Sequence, residues 1–506
     1  MTLVSRITGL IRDMVFAGLI GAGATAAADA FYVAFRIPNF LRRIFGEGAL
    51  SQAFVPVFAE YRAREVPSEA RRFVDHVTGV LALILFIVTL IGIIAAPLLV
   101  MVLAPGYLAE PTKYDLTVTM LRIVFPYLLF ISLVALAAGV LNTYGRFGAP
   151  AFTPVLLNLS LIGAAVWLAP RLEEPVVGLA WGVFIAGLAQ LLFQIPFLRR
   201  IGMLPRPRLR PRHEGVTRVM RLMLPGIFGV SVAQINLLVN TLLASFLVTG
   251  SVSWLYYADR LMEFPLGVFG IALATVILPS LSNKHASASR EEFSHLLDWG
   301  LRWVFIVGIP ASVALTLLAG PILATLFQYG AFEQRDVEMS AQALQAFSLG
   351  LVAFIVIKVL APGFYARQDT KTPVRVGVTA LVANIVFSFL LVYPLAHTGL
   401  ALAVSLSAVI NAALLFRLLR QQGVYQALPG WRAFLGRIGL ATAAMAGLVF
   451  WGVDSLEHWF VALPLERAAR LAFWSVAGIL VYGSVLLMTG MRPRHLKIKH
   501  HVPHVS

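Results

Sequence analysis

Three tight groups of ionised residues interrupt otherwise apolar stretches of this 506-residue chain: Arg6, Arg12 and Asp13; Arg36, Arg42, Arg43 and Glu47; Asp259, Arg260 and Glu263. Six of them are arginines and four are acids, so one-to-one pairing leaves positive charge over. A guanidinium stays charged at every working pH, and its planar fork matches phosphate oxygens two at a time. The chemistry these residues suit is therefore the holding of a phosphate-bearing anion; a cation exporter would need the opposite balance. For Asp13, Glu47, Asp259 and Glu263 an equal alternative is a buried ion pair that fixes helix contacts. Cysteine is absent, which excludes disulfides, thiolate metal sites and cysteine nucleophiles. The ten histidines lack metal-ligand spacing, so no catalytic residue, metal site or cofactor is assigned.

The elements that carry these groups are membrane spans. Apolar residues make up 59% of the chain and charged residues 13%, against roughly 45–50% and about 25% in soluble domains. Apolar runs long enough to cross about 30 Å of hydrocarbon as helix recur from end to end. About fourteen can be marked: 3–22, 30–58, 75–103, 117–141, 151–169, 176–197, 219–247, 253–281, 298–327, 341–365, 374–394, 399–419, 434–452 and 468–490. None alternates with period two, which excludes a transmembrane β-barrel. The expected fold is an all-α polytopic membrane protein. An arginine at mid-bilayer costs roughly 2.5–3.5 kcal/mol even on the lenient scale, so the charged groups must face a polar cavity. On a helical wheel Arg36, Asn39, Arg43 and Glu47 fall within about 80° of one another, giving the second span a polar stripe.

The formal net charge is +16, and the basic residues lie mainly on one side of the spans. Loops after the even-numbered spans, with the C-terminal tail, hold most of the arginines and lysines; the opposite loops hold Lys113, Arg171, Arg335 and Arg467. This asymmetry places both termini and the basic loop around 199–221 in the cytoplasm. That loop reads as a topology determinant touching anionic headgroups, and not as a nucleic-acid site. The first apolar run carries Arg6, Arg12 and Asp13 and lacks a cleavage site, so it is expected to stay in the mature protein.

The chain repeats itself at an offset near 224. Pro97 with Gly106 matches Pro321 with Gly330; Ala34-Phe-Arg36-Ile matches Ala258-Asp-Arg260-Leu; Pro56 matches Pro279; and Tyr144-Gly-Arg146 matches Tyr365-Ala-Arg367. Six spans separate equivalent elements, so the copies are parallel repeats. The expected organisation is a first six-helix lobe over 1–200, a basic loop over 201–218, a second lobe over 219–421, a final helix pair over 422–491 and a basic tail over 492–506. Gln190, Gln194, Gln234, Asn236, Asn240, Lys358 and Asn384 either line the cavity or hydrogen-bond between helices. Pro38, Pro265 and nearby glycines supply either bendable points or ordinary close packing.

Ser5-Arg6 with Gly9 and Arg12-Asp13, the run from Asp29 through Arg36-Ile-Pro-Asn39, Arg42-Arg43 and Glu47 to Pro56, and Ser253-Trp-Leu-Tyr-Tyr-Ala-Asp259-Arg260-Leu-Met-Glu263-Phe-Pro265 together resemble the MurJ (MviN) lipid II flippases of the multidrug/oligosaccharidyl-lipid/polysaccharide exporter superfamily. Lys358 to Tyr365 and Gln368 to Pro373 extend the likeness. The resemblance implies fourteen helices, two six-helix lobes and a lipid-tail groove from the last pair. It implies that Arg6, Arg12, Arg42 and Arg260 meet the pyrophosphate of lipid II. Ser5, Asp13, Asp29, Asn39, Arg43, Glu47, Ser253, Asp259 and Glu263 are then functionally sensitive neighbours. It implies a transporter in the bacterial inner membrane, with membrane lipids and the cell-wall synthesis and division machinery as partners, and with coupling to membrane potential or an ion gradient left open. Span 7 carries no carboxylate, which argues against a sodium site there. The alternatives are a flippase for another lipid-linked oligosaccharide, a multidrug exporter, or a polytopic glycosyltransferase using the same lipid.

Overall fold

The computed structural model describes residues 2–23, 25–43, 50–64, 66–210, 213–286 and 290–491, so the expectation for Glu47 lies outside the described residues. Twenty α-helices and no strand occur among them. The first nine are α1 (Thr2–Ile20), α2 (Ala26–Arg42), α3 (Ser51–Ala63), α4 (Pro67–Ile94), α5 (Ala96–Leu103), α6 (Pro111–Val124), α7 (Tyr127–Thr143), α8 (Gly148–Gly163) and α9 (Pro175–Arg200). Then come α10 (Glu214–Ser245), α11 (Ser251–Pro265), α12 (Ile271–Ala286), α13 (Arg290–Leu317), α14 (Ala319–Phe327), α15 (Gln334–Ser348) and α16 (Leu351–Tyr365). The last four are α17 (Lys371–Gln421), α18 (Trp431–Gly452), α19 (Leu456–Val461) and α20 (Pro464–Met488). Proline opens α4, α6, α9 and α20, where its missing N–H would have no partner anyway.

Among the described residues eight helices are long and apolar enough to cross a membrane, or nine when α15 and α16, bent by 40°, count as one span. The 51-residue α17 contains two of the expected spans, broken at Ala396, whose φ of 47° is non-helical. The expected count of fourteen is not reached among the described residues by length and apolarity alone. The expected spans missing from the set are the first two of each repeat, namely α1, α2 with α3, α10, and α11 with α12. α1 carries three ionised residues, while α2, α11 and α12 have 17, 15 and 16 residues. Of these, α1, α2 and α11 carry the charged groups.

The chain divides into two compact units, Met1–Ser253 with Tyr329–Glu333, and Trp254–Gln328 with Gln334–Ser506. In unit 1, α10 packs on α3 and α4 although the duplication places it at the head of the second copy; ancestry sets the repeat boundary and side-chain packing sets the unit. Two turns of unit 1 show how closely the copies interlock. Gly330, with φ of 55°, sits against the end of α1, where Ala331 donates its N–H to the Gly18 carbonyl at 3.0 Å and Gly21 has φ of 63°. A Cβ on either glycine would strike backbone of the other segment. At the matching position of the first copy, Gly106 lies against the end of α10 and donates its N–H to Ser245 Oγ at 3.1 Å. Each copy's turn therefore caps the first helix of the other, relieving end carbonyls or hydroxyls that a helix terminus leaves over.

On the basic side of unit 1, the loop 201–210 is strapped to α4: Arg206 N donates to Asp75 Oδ1 at 2.7 Å and Arg208 N to the Asp75 carbonyl at 3.1 Å. His213 caps α10, its Nδ1 accepting from Gly215 N at 3.2 Å, and packs 5.0 Å from the His76 ring. Burial, then the neighbouring His76 and Arg210, hold its pKa below the ordinary value of 6.5. In unit 2 the fully buried Asp298 of α13 organises the approach to α18. It accepts from Tyr425 Oη and Trp431 Nε1, each at 2.8 Å, from Leu428 N at 3.2 Å, and from Arg302 Nε at 2.7 Å.

Candidate functional site

Asp29 lies in the first turn of α2, and Ser253, exactly one repeat length later, in the first turn of α11. The two meet. The Asp29 carboxylate accepts from Gly250 N at 2.8 Å, Ser253 N at 2.9 Å and Ser253 Oγ at 2.6 Å. It thereby caps a second helix from outside, satisfying amide donors that no intrahelical carbonyl reaches and placing negative charge at the positive end of α11. Lys113 Nζ, at the start of α6, adds an ion pair at 3.3 Å and also donates to Thr249 Oγ1 at 3.1 Å. Asp29 and Lys113 are both 2% exposed, so each charge depends on the other for solvation. In unit 2, the buried Asp336 at the start of α15 accepts from Trp254 Nε1 at 2.8 Å.

Arg12 and Asp13 are buried at 4% and 3% exposure and hydrogen-bonded to each other, at 3.0 Å through Nε and 2.6 Å through Nη2. Asn158 of α8 completes the group. Its Oδ1 accepts from Arg12 Nη1 at 3.0 Å, and its Nδ2 donates to the Ser5 carbonyl and Thr8 Oγ1 at 3.0 and 3.1 Å. This cluster fixes α1 against α8, the contact-fixing role that the sequence left open for Asp13. Arg6 is half-buried on α1, with no ion-pair partner among the described residues.

The polar stripe of α2 is real and half-buried. Arg36 Nη1 donates to Thr241 Oγ1 of α10 at 2.5 Å, Arg42 Nε to Asn39 Oδ1 at 2.8 Å, and Arg43 Nη1 to Gln234 Oε1 of α10 at 3.3 Å. Neutral amide and hydroxyl oxygens take part in orienting these guanidinium groups. In unit 2, Arg260 Nε donates to Tyr256 Oη at 3.2 Å, and Nη1 lies 3.4 Å from Glu263 Oε2. Asp259 is half-buried beside it and Glu263 exposed. Among the described residues no three histidine or acidic groups converge on a metal position.

Unit 1 therefore brings together Asp29 with Ser253, Arg12 with Asp13 and Ser5, and Arg42 with Asn39, while Arg260, Asp259 and Glu263 sit on one helix of unit 2. Sequence reasoning missed Asn158, whose signal was a lone amide in mid-span, and treated Lys113 as a loop cation when it is a buried counter-ion. Of the weaker candidates, Gln190, Gln194 and Asn384 are fully buried between helices, whereas Lys358 is exposed.

The family model described as "Lipid II flippase MurJ" matches residues 17–469. The "Probable lipid II flippase MurJ" of Vibrio cholerae serotype O1 is 48% identical over 504 residues, covering 98% of this chain and 96% of that protein. The "Lipid II flippase MurJ" of Burkholderia cenocepacia is 46% identical over 496 residues, covering 97% and 96%. Among solved structures, a "Lipid II flippase MurJ, inward closed conformation" superposes with a TM-score of 0.79 at 26% identity over 96% of both chains. An inward-facing multidrug resistance MATE transporter shares the fold at a TM-score of 0.69 and 17% identity, over 83% of this chain and 94% of that one.

Proposed function

The chain belongs to the MurJ family of lipid II flippases, and on that premise we propose that it moves the undecaprenyl-pyrophosphate-linked peptidoglycan precursor from the inner to the outer leaflet of the cytoplasmic membrane by alternating access. The observation that carries this reading is the half-buried α2 face, where Arg36, Arg42 and Arg43 are oriented by Thr241, Asn39 and Gln234. Three guanidinium groups within eight positions of a membrane-embedded helix suit the recognition of a diphosphate, whose oxygens the planar fork matches two at a time.

Arg6 of unit 1 adds to the positive field of the α2 face, and Arg260 supplies a cation in unit 2, while the prenyl tail of the cargo stays in lipid. Arg12, tied to Asp13 and Asn158, contributes by holding α1 in place. Both termini lie in the cytoplasm, in line with the basic loops. No covalent bond of the cargo changes. Moving one elementary charge through 100 mV is worth about 2.3 kcal/mol, so membrane potential can return a cationic receptor toward the inner face once the diphosphate has left. The Asp29 cap on α11 is a contact that a transport cycle can make and break as a unit, because its acceptor and its donors come from different helices.

The test is leaflet-specific detection of lipid II in cells depleted of their own flippase. Expression of this chain restores outer-leaflet lipid II, and loss of the chain traps it inside. Normal outer-leaflet arrival without any such protein would refute the reading.

A further inference from the structure

Lys358 stands midway along α16, in the run Leu351-Val-Ala-Phe-Ile-Val-Ile-Lys-Val-Leu-Ala, and its side chain is exposed. It has no hydrogen bond or ion pair among the described residues. Its Cγ lies 3.6 Å from where a Cβ on Gly270 would stand, so it flanks the π turn Leu266–Gly270 that follows Pro265 and joins α11 to α12. Insertions of this kind in a helix collect at functional positions. Its neighbours Ile355 and Val359 pack toward Gly308 and Gly300 of α13, while Lys358 itself stays exposed.

An ammonium there has two ways to stay solvated. Tyr365, the end of α16, is seven residues on, about 10 Å along the axis, farther than a four-methylene stem extends. Facing hydrocarbon at that depth would cost roughly 2.5–3.5 kcal/mol. The remaining way is water and a mobile counter-anion. Gly270 follows Arg260 by ten residues, about 15 Å of helix, so Lys358 is a contact separate from that arginine.

We propose that Lys358, on the α16 face beside the π turn Leu266–Gly270 of unit 2, is a second anion contact for the lipid-linked cargo, binding phosphate or carboxylate oxygens about 15 Å along the span from Arg260. This rests on the flippase reading above. A compact, strongly hydrated charge on a flexible stem suits the task, because it follows a moving anion instead of fixing it in one bidentate geometry.

The chain contains no cysteine, so Lys358→Cys introduces a single reporter thiol. In proteoliposomes it should react with an anionic, membrane-impermeant methanethiosulfonate, and lipid II should slow that reaction. Slowing by undecaprenyl diphosphate as well assigns the contact to phosphate; slowing by lipid II alone assigns it to the peptide carboxylates. An unreactive thiol, no slowing by either lipid, or equal slowing by phosphatidylglycerol would overturn the proposal. In the leaflet assay Lys358→Met should lower lipid II arrival about tenfold, the loss of one charge-assisted contact, and Lys358→Arg should keep it. The unmodified chain separates the two readings: its own failure to deliver lipid II rejects the flippase assignment. Delivery that is equal with Lys358→Met rejects only the role of Lys358.

Discussion

Replacing Asp29 by Asn removes one negative charge from a position where four donors converge. The amide oxygen can still accept from Ser253 N and Oγ. The amide nitrogen, however, would point at Gly250 N–H and at the Lys113 ammonium, donor against donor. Lys113 is 2% exposed and would be left with only the half-exposed Glu110 carboxylate, at 4.0 Å, as counter-charge. Breaking one side of a buried pair typically costs about 3–5 kcal/mol. At about 2–4 °C per kcal/mol for a body the size of unit 1, the melting temperature should fall by at least about 6 °C. The assay is intrinsic tryptophan fluorescence against temperature in detergent micelles. Lys113→Met alone should cost less, because the carboxylate keeps three hydrogen bonds, and adding it to Asp29→Asn should recover much of the loss. The double-mutant coupling should exceed about 1 kcal/mol. Melting of Asp29→Asn within about 2 °C of the parent, or simple additivity of the two changes, would refute the reasoning.

Arg42→Ala or Arg260→Ala should abolish support of wall synthesis while the protein still inserts, as read by complementation with an immunoblot of membranes; full complementation would make these arginines structural. Asn158→Leu removes the oxygen that accepts from Arg12 Nη1 and should cost about 2 kcal/mol in thermal melts. Asp298→Leu leaves four donors unmatched; a loss of about 3–5 kcal/mol, with faster amide exchange at the start of α18, is expected. His213 has a lowered pKa, so the folded state favours its neutral form. Its capping contribution is complete above about pH 6.5 and is lost as pH falls toward the lower folded value. Protection of the Gly215 amide, taken relative to its intrinsic exchange rate at each pH, should therefore fall on acidification below about 6.5, and His213→Asn, a cap that does not titrate, should remove that fall.

What the sequence revealed best were features with local periodicity. The stripe of Arg36, Asn39 and Arg43 follows from helical spacing alone, and the structure places all three half-buried on one helix. The helical, multi-pass architecture follows equally from apolar run length. Partners far apart in sequence were not legible. Asp29 and Lys113 are separated by 84 positions, and Arg12 and Asn158 by 146; no spacing rule links them. The duplication was visible as an offset, yet it did not reveal that Ser253 would become the partner of its own counterpart Asp29. Span 8, read as one helix over 253–281, is broken after Pro265 because a proline supplies no N–H to the preceding turn.

The exchanged turns around Gly106 and Gly330 bear on how such a chain can be cut or shuffled. Each half carries the lid for its counterpart's leading segment, so neither half ends in a finished surface of its own. Two polypeptides severed within the basic loop around 199–221 would have to find one another before either was complete. A hybrid that pairs halves from distant relatives would be limited first at these two glycine turns, where there is no room even for a methyl group.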